Sequence, residues 1–234
     1  MRRIVAALVA AFLAVVLFAH PAEGYAPTSL SIGTHNLLHG KAAPHAFADV
    51  IGWQEADTRR AHTRIRAMDG YRTYSRTEVP ISWRTASWRY QDAGTVRTHK
   101  GLSRVSPHRY VTWVRLEHRR THVVIVLMNT HAVSGAWNQN TGELAESWRR
   151  SMWGVHDRAV DRLADRFAAK GYRLFLTGDM NRLRHVYTYT CLRRADAGGI
   201  DVILRSTSSR LESREVLPYW GSDHRAERVR VNVH

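Results

Sequence analysis

Apolar residues along this 234-residue chain gather into short runs broken by polar turns. The runs at 29–38, 50–55, 71–75, 80–83, 110–116, 122–130, 172–176 and 200–204 each predict a β-strand. A polar link, Glu117-His118-Arg119-Arg120-Thr121, separates 110–116 from 122–130 at hairpin length. The pattern turns helical over 146–170, where Trp148, Met152, Val155, Ala159, Leu163 and Phe167 recur at three- and four-residue steps as one apolar stripe. Arg158, Arg162 and Arg166 form a separate polar row, and Gly171 is a natural stop. A second helix is expected over 57–68, rich in arginine and ending near Gly70. Many strands with few helices between them predict an α/β layered sandwich in one domain, 27–234.

The first residues depart from that pattern. Met1-Arg2-Arg3 precedes an unbroken apolar run over 4–19, then His20-Pro21 and the small residues Ala22, Gly24 and Ala26. A basic head, an apolar stretch and small residues make a secretory signal peptide, expected over 1–26 with cleavage somewhere in 19–26. The run is slightly short for a membrane span, which needs roughly 20 residues. An uncleaved N-terminal tether is the alternative. The expected location is therefore extracellular.

Composition narrows the partners. Lys and Arg number 35 against 20 Asp and Glu, a formal charge of +15, and the apolar fraction of 44% is ordinary for a folded protein. So basic a chain suits a polyanion, whether nucleic acid, anionic lipid or phosphate ester. A single cysteine, Cys191, excludes an internal disulfide framework and a cysteine-built zinc site. No phosphate-binding Gly-x-x-x-x-Gly-Lys loop, His-Glu-x-x-His or Gly-x-Ser-x-Gly is present.

Polar residues close several of the apolar runs, where a rigid sheet would hold them at a common rim. They are Asn36, Glu55 after Gln54, His131 in Asn129-Thr130-His131, Asp179 and Asn181 in Gly178-Asp179-Met180-Asn181, Asp201 after Ile200, and Asp223 and His224 in Ser222-Asp223-His224. Any one of them alone reads as a turn or cap residue. Six such clusters in a fixed order do not.

In these motifs, together with Thr34-His35-Asn36, the chain resembles the endonuclease/exonuclease/phosphatase superfamily, the group of DNase I, exonuclease III-like nucleases and neutral sphingomyelinases, over about residues 29–234. The resemblance implies a four-layer α/β sandwich with two packed β-sheets (DNase I-like) and Mg²⁺-dependent hydrolysis of phosphoesters, with Mn²⁺ or Ca²⁺ as alternatives. Glu55 would be the first metal ligand, with Asn36 and Asp223 completing the shell. Asp179 would orient or deprotonate the attacking water, Asn181 would hold the water or phosphate, and His224 would bind the scissile phosphate with Asp201 fixing its tautomer. His131 would be a second histidine near the leaving group, Arg109 a phosphate contact, and Glu78 a support for His131. His35 stands where the superfamily carries an aromatic, which bears on nearby substrate contacts.

Within that group the substrate expected is nucleic acid. Arginines spread over 59–66 and at Arg84, Arg89, Arg97 and Arg104 suit a dense row of phosphates, and Trp83, Trp88 and Tyr90 interleave with them as candidate contacts to sugar or unpaired base. A lipid or small-molecule phosphodiesterase is the alternative, for which Ala136-Trp137 would offer an apolar loop. A catalytically dead polyanion-binding protein is a third, disfavoured by the intact set of polar residues. No obligate protein partner is evident, and a monomer is expected.

Overall fold

The computed structural model describes residues 26–103, 106–138, 147–183, 187 and 189–233. The expected leader, 1–26, lies almost wholly outside the described residues. Among the described residues, twelve strands form two six-stranded sheets. The first sheet contains β1 (Thr28–Asn36), β2 (Val50–Gln54), β3 (Tyr71–Tyr74), β4 (Ile81–Arg84), β11 (Arg210–Val216) and β12 (Glu227–Val233), in the order β11-β12-β1-β2-β4-β3. The second contains β5 (Trp88–His99), β6 (Arg109–His118), β7 (Val124–His131), β8 (Arg173–Asp179), β9 (Leu192–Arg194) and β10 (Asp201–Ser206), in the order β5-β6-β7-β8-β10-β9. Each sheet has one parallel pair at its centre, β1 with β2 and β7 with β8. These central strands are buried on both faces, which is why they read as continuous apolar runs rather than alternating ones.

The core has three storeys. Leu30, Ile32, Val50, Leu116, Ile125, Leu127, Phe175 and Val229 fill the space between the sheets. Ile51, Trp53, Ala61 and Ile65 seat helix α1 (Arg59–Arg66) on the outer face of the first sheet. Helix α2 (Ser147–Ala168) covers the second sheet through Met152, Trp153, Val160, Leu163 and Phe167. Helix, sheet, sheet and helix make the expected four layers. Among the described residues no helix is long and apolar enough to cross a membrane.

The predicted stripe of α2 is rotated from the observed one. Trp148 is exposed and Val155 and Ala159 are only half-buried, whereas Trp153, His156, Val160 and Ala164 are buried. The reason is His156, a polar residue that hydropathy skips. Its Nδ1 lies 2.7 Å from Thr98 Oγ1 and its Nε2 3.0 Å from Thr130 Oγ1, and burial drives its pKa down to about 3, so the ring sits neutral in the core. Trp83 and Trp88 are core aromatics, buried between or beside the sheets, and are not substrate contacts; of that trio only Tyr90 is exposed.

A polar clasp crosses the middle of the sandwich. Asn129 Oδ1 accepts from Gln54 Nε2 (2.6 Å) and Thr177 Oγ1 (3.1 Å), while its Nδ2 donates to the carbonyls of Trp53 (2.7 Å) and Pro80 (3.0 Å). Gly52 lies against it, where a Cβ would stand 2.1 Å from Thr177 Oγ1 and 2.5 Å from Asn129 Oδ1. The side-chain amide therefore satisfies all its donors and acceptors with no exposure. Asn129→Leu would leave several buried groups unpaired and is expected to cost about 3 kcal/mol or more, measured by urea unfolding. A loss below about 1 kcal/mol would show that the clasp is not needed to hold the sheets.

Candidate active site

The clasp residues sit one or two positions before polar residues at the strand ends, and those ends converge. Glu55 follows β2 with φ 53°, a left-handed conformation that turns the chain sharply at the sheet edge. His131 and Asp179 are paired in register at the ends of parallel β7 and β8, and Asp201 opposes Asp179 at the start of antiparallel β10.

Asp179 is the centre of the assembly. Its Oδ1 accepts the Asn181 backbone N–H at 2.9 Å and its Oδ2 accepts Asn36 Nδ2 at 3.1 Å. The same Oδ2 lies 3.6 Å from His131 Nε2 and 3.9 Å from His224 Nε2. Two groups result that share Asp179: Glu55, His131 and Asp179 on one side, and Asp179, Asp201 and His224 on the other, each with ligand atoms within 4.8 Å of one another. His131 Nε2 is also 3.9 Å from Glu55 Oε1.

Each histidine is aimed from behind. His224 Nδ1 lies 2.7 Å from Asp201 Oδ2, and the His224 backbone N–H donates to Ser222 Oγ, which itself donates to the Asn36 carbonyl. Burial opposes the charged ring of His224, but the Asp201 bond and the nearby carboxylates Asp179 and Asp223 prevail and raise its pKa to about 9. Burial pushes the Asp201 carboxyl above its ordinary range against the pull of His224. The 2.7 Å contact is that of an ionic pair, carboxylate on imidazolium. His131 Nδ1 lies 2.9 Å from Arg109 Nη1 and 3.2 Å from Glu78 Oε2, so the proton on that nitrogen decides which of the two it bonds. Burial penalises the Glu78 carboxylate, yet His131 and Arg109 outweigh it and hold its pKa below the ordinary value.

Two expected ligands are placed differently from the rest. The Asn36 side chain is spent on Asp179 and on the Leu38 N–H, which its Oδ1 accepts at 2.9 Å. Asp223 points outward, its side chain 63% exposed and its Oδ1 4.0 Å from His224 Nε2, outside both groups. Asn181, with φ 48°, donates its side-chain amide to the Ala132 carbonyl. His35 is fully buried, with Nε2 3.3 Å from the His224 carbonyl, so it braces the loop that carries His224 from within the core.

The sequence reading missed His39. Its backbone N–H donates to Glu55 Oε2 at 3.0 Å and its Nδ1 lies 2.7 Å from Asp57 Oδ2. With Glu55, Glu78, Arg109 and His131 it lines a cavity of about 220 Å³. One histidine among fourteen, outside any strand-end motif, gave no signal. Of the two residues offered for lipid contact, Ala136 is fully buried and Trp137 is half-buried beneath the Arg182 guanidinium, 3.6 Å from its ring centroid.

Residues 32–224 match the family model described as Endonuclease/Exonuclease/phosphatase family. The chain belongs to this family. Members are hydrolases of phosphoester bonds and depend on divalent metal. Solved family structures share the fold at low identity. An endonuclease/exonuclease/phosphatase family protein from Bacteroides thetaiotaomicron superposes with TM-score 0.69 and 18% identity, over 90% of this chain and 97% of that one. A mannosyl-6-phosphatase from Bacteroides thetaiotaomicron VPI-5482 gives 0.65 and 16%, over 86% and 99%. The human Nocturnin catalytic domain gives 0.62 and 11%, over 87% and 94%. No curated protein matches the chain.

The His224–Asp201 pair makes a direct prediction. NMR titration of the His224 ring should give a pKa near 9, and Asp201→Asn should return it to 6.5 or below. Because the folded value exceeds the unfolded 6.5, the stabilisation from His224 is complete below 6.5 and lost as pH rises through about 9. An unchanged pKa in Asp201→Asn would refute the ionic pairing.

Proposed function

We propose that this family member is an exported Mg²⁺-dependent phosphodiesterase whose substrate is nucleic acid, DNA foremost, acting as a monomer. The observation that carries the reading is a tight nest of carboxylates and imidazoles in a chain of formal charge +15. The long-range field of such a protein gathers polyanions. The nest itself is acidic enough that a phosphate needs a cation to enter it. The apolar run over 4–19 supports export.

Oxygen donors suit a hard divalent ion, and Glu55 with Asp179 beside it is the seat the geometry favours. Asn36 serves that seat through Asp179, and Asp223 stays outside it. When bound, the ion neutralises phosphoryl charge. Asp179 Oδ2 takes a proton from the attacking water, and Asn36 and the Asn181 N–H hold that carboxylate in place. The His224 imidazolium, fixed by Asp201, binds a non-bridging phosphate oxygen. As the P–O bond breaks, His131 in its imidazolium form, with Nδ1–H donated to Glu78, gives its Nε2 proton to the leaving oxygen and is left a neutral ring, while buried Arg109 stands behind it.

Nicking of supercoiled plasmid by the exported portion should occur with Mg²⁺ and cease in EDTA. His224→Ala and Asp179→Ala should each lower the rate at least about a hundredfold while keeping the fold. DNA affinity should fall steeply with salt. Wild-type rates in either variant would overturn the residue roles. Hydrolysis of sphingomyelin or a small phosphodiester without any nicking would transfer the same chemistry to another substrate and end the nucleic-acid reading.

A further inference from the structure

The loop joining β11 to β12 carries a feature that the chemistry above does not use. It is closed by Leu217 N–H to the Ala226 carbonyl (2.7 Å) and by Ser222 N–H to the Tyr219 carbonyl (2.9 Å). Trp220 and Gly221 then take φ of 48° and 87°, and this left-handed turn sends neighbouring rings in opposite directions. The Trp220 ring goes inward, 4.5 Å from His45 and 5.4 Å from Phe47 between centroids. The Tyr219 ring goes outward and is 50% exposed, the most exposed large apolar side chain among the described residues. Arg225 Nε donates to the Leu217 carbonyl at 3.0 Å, which holds its guanidinium 5.5 Å from the Tyr219 ring centroid.

Tyr219 and Arg225 line a cavity of about 350 Å³ together with Asp201, Asp223 and His224. A phosphate held by His224 therefore brings its next substituent against an anchored aromatic ring with a cation beside it. We propose that Tyr219, flanked by Arg225, is a stacking subsite for the nucleobase adjacent to the scissile phosphate, an assignment that deepens the nuclease reading and rests on it.

Two alternatives fit the surface less well. Insertion into lipid calls for a contiguous apolar patch or amphipathic helix. Here only Val216 is an exposed large apolar neighbour of Tyr219 in the cavity wall, and Arg225 is at its side. A sugar could lie on the ring as well, but every base has a π-face and gains from both ring and guanidinium. Because the subsite adds to each complex whatever the sequence, it implies tolerance among bases.

The test separates this subsite from the nuclease reading by measuring binding without turnover. Fluorescein-labelled tetranucleotides with cleavage-resistant phosphorothioate linkages, one base-bearing and one with abasic sugars throughout, are titrated against the folded protein in Mg²⁺. Wild type should prefer the base-bearing strand by about tenfold, Tyr219→Phe should keep that preference, and Tyr219→Ala should bring the ratio close to one. A ratio unchanged in Tyr219→Ala overturns the subsite, even if plasmid is nicked normally. Equal weakening on both strands overturns it too, since the ring would then be gripping sugar. Loss of binding to sphingomyelin and phosphatidylserine vesicles in Tyr219→Ala, with oligonucleotide binding intact, would overturn it in favour of lipid. The expected ratios in a protein that nicks no plasmid would sustain the subsite and refute only the nuclease reading.

Discussion

The site depends on the buried amide of Asn129. Its four hydrogen bonds tie β7 to β8, to β2 and to the segment before β4, so the two sheets meet at one fixed depth. Glu55 comes one residue after Gln54, His131 two after Asn129, and Asp179 two after Thr177. In a strand a step of two keeps a side chain on the same face. The bonds that set the spacing of the sheets therefore also set the directions of His131 and Asp179, within a few residues of the rim. Gly52 completes the arrangement by leaving the clasp room that a Cβ would occupy.

Charge is divided on two scales. The chain as a whole is strongly basic, while the rim of the sandwich gathers Glu55, Glu78, Asp179 and Asp201 around Arg109, His131 and His224. Field at long range attracts a polyanion, and short-range repulsion from the carboxylates would turn its phosphate away unless a cation intervened. Such a division couples binding to the metal. It also explains why the carboxylates are individually restrained, Asp179 by Asn36 and the Asn181 N–H, Asp201 by His224, and Glu78 by His131 and Arg109.

Much of this was legible in the sequence, and the exceptions have physical causes. Central strands such as β2, β7 and β8 announce themselves because burial on both faces makes them uniformly apolar, and the polar residue ending each run marks the rim. Strands β5 and β11 are largely exposed and so lack an apolar run, while β9 has only three residues. In β12 the valines 229, 231 and 233 alternate with Arg228, Arg230 and Asn232, a signal that was present but masked by the arginines. The contacts of Asn36, Asp223, His35 and His39 were not legible, because they depend on which neighbour a side chain meets across the fold. His156 shows the same limit in the core, where two threonine hydroxyls make a polar ring acceptable.

In the proposed mechanism Glu55, beside Asp179, seats the divalent ion on which phosphoester hydrolysis depends. Mn²⁺ binding followed by electron paramagnetic resonance tests it most directly, in the wild-type protein and in Glu55→Gln and Asp223→Asn. Glu55→Gln should weaken binding at least about tenfold, and Asp223→Asn should change it by less than about threefold. Undiminished binding in Glu55→Gln, or its loss in Asp223→Asn, would mean that the ion sits elsewhere.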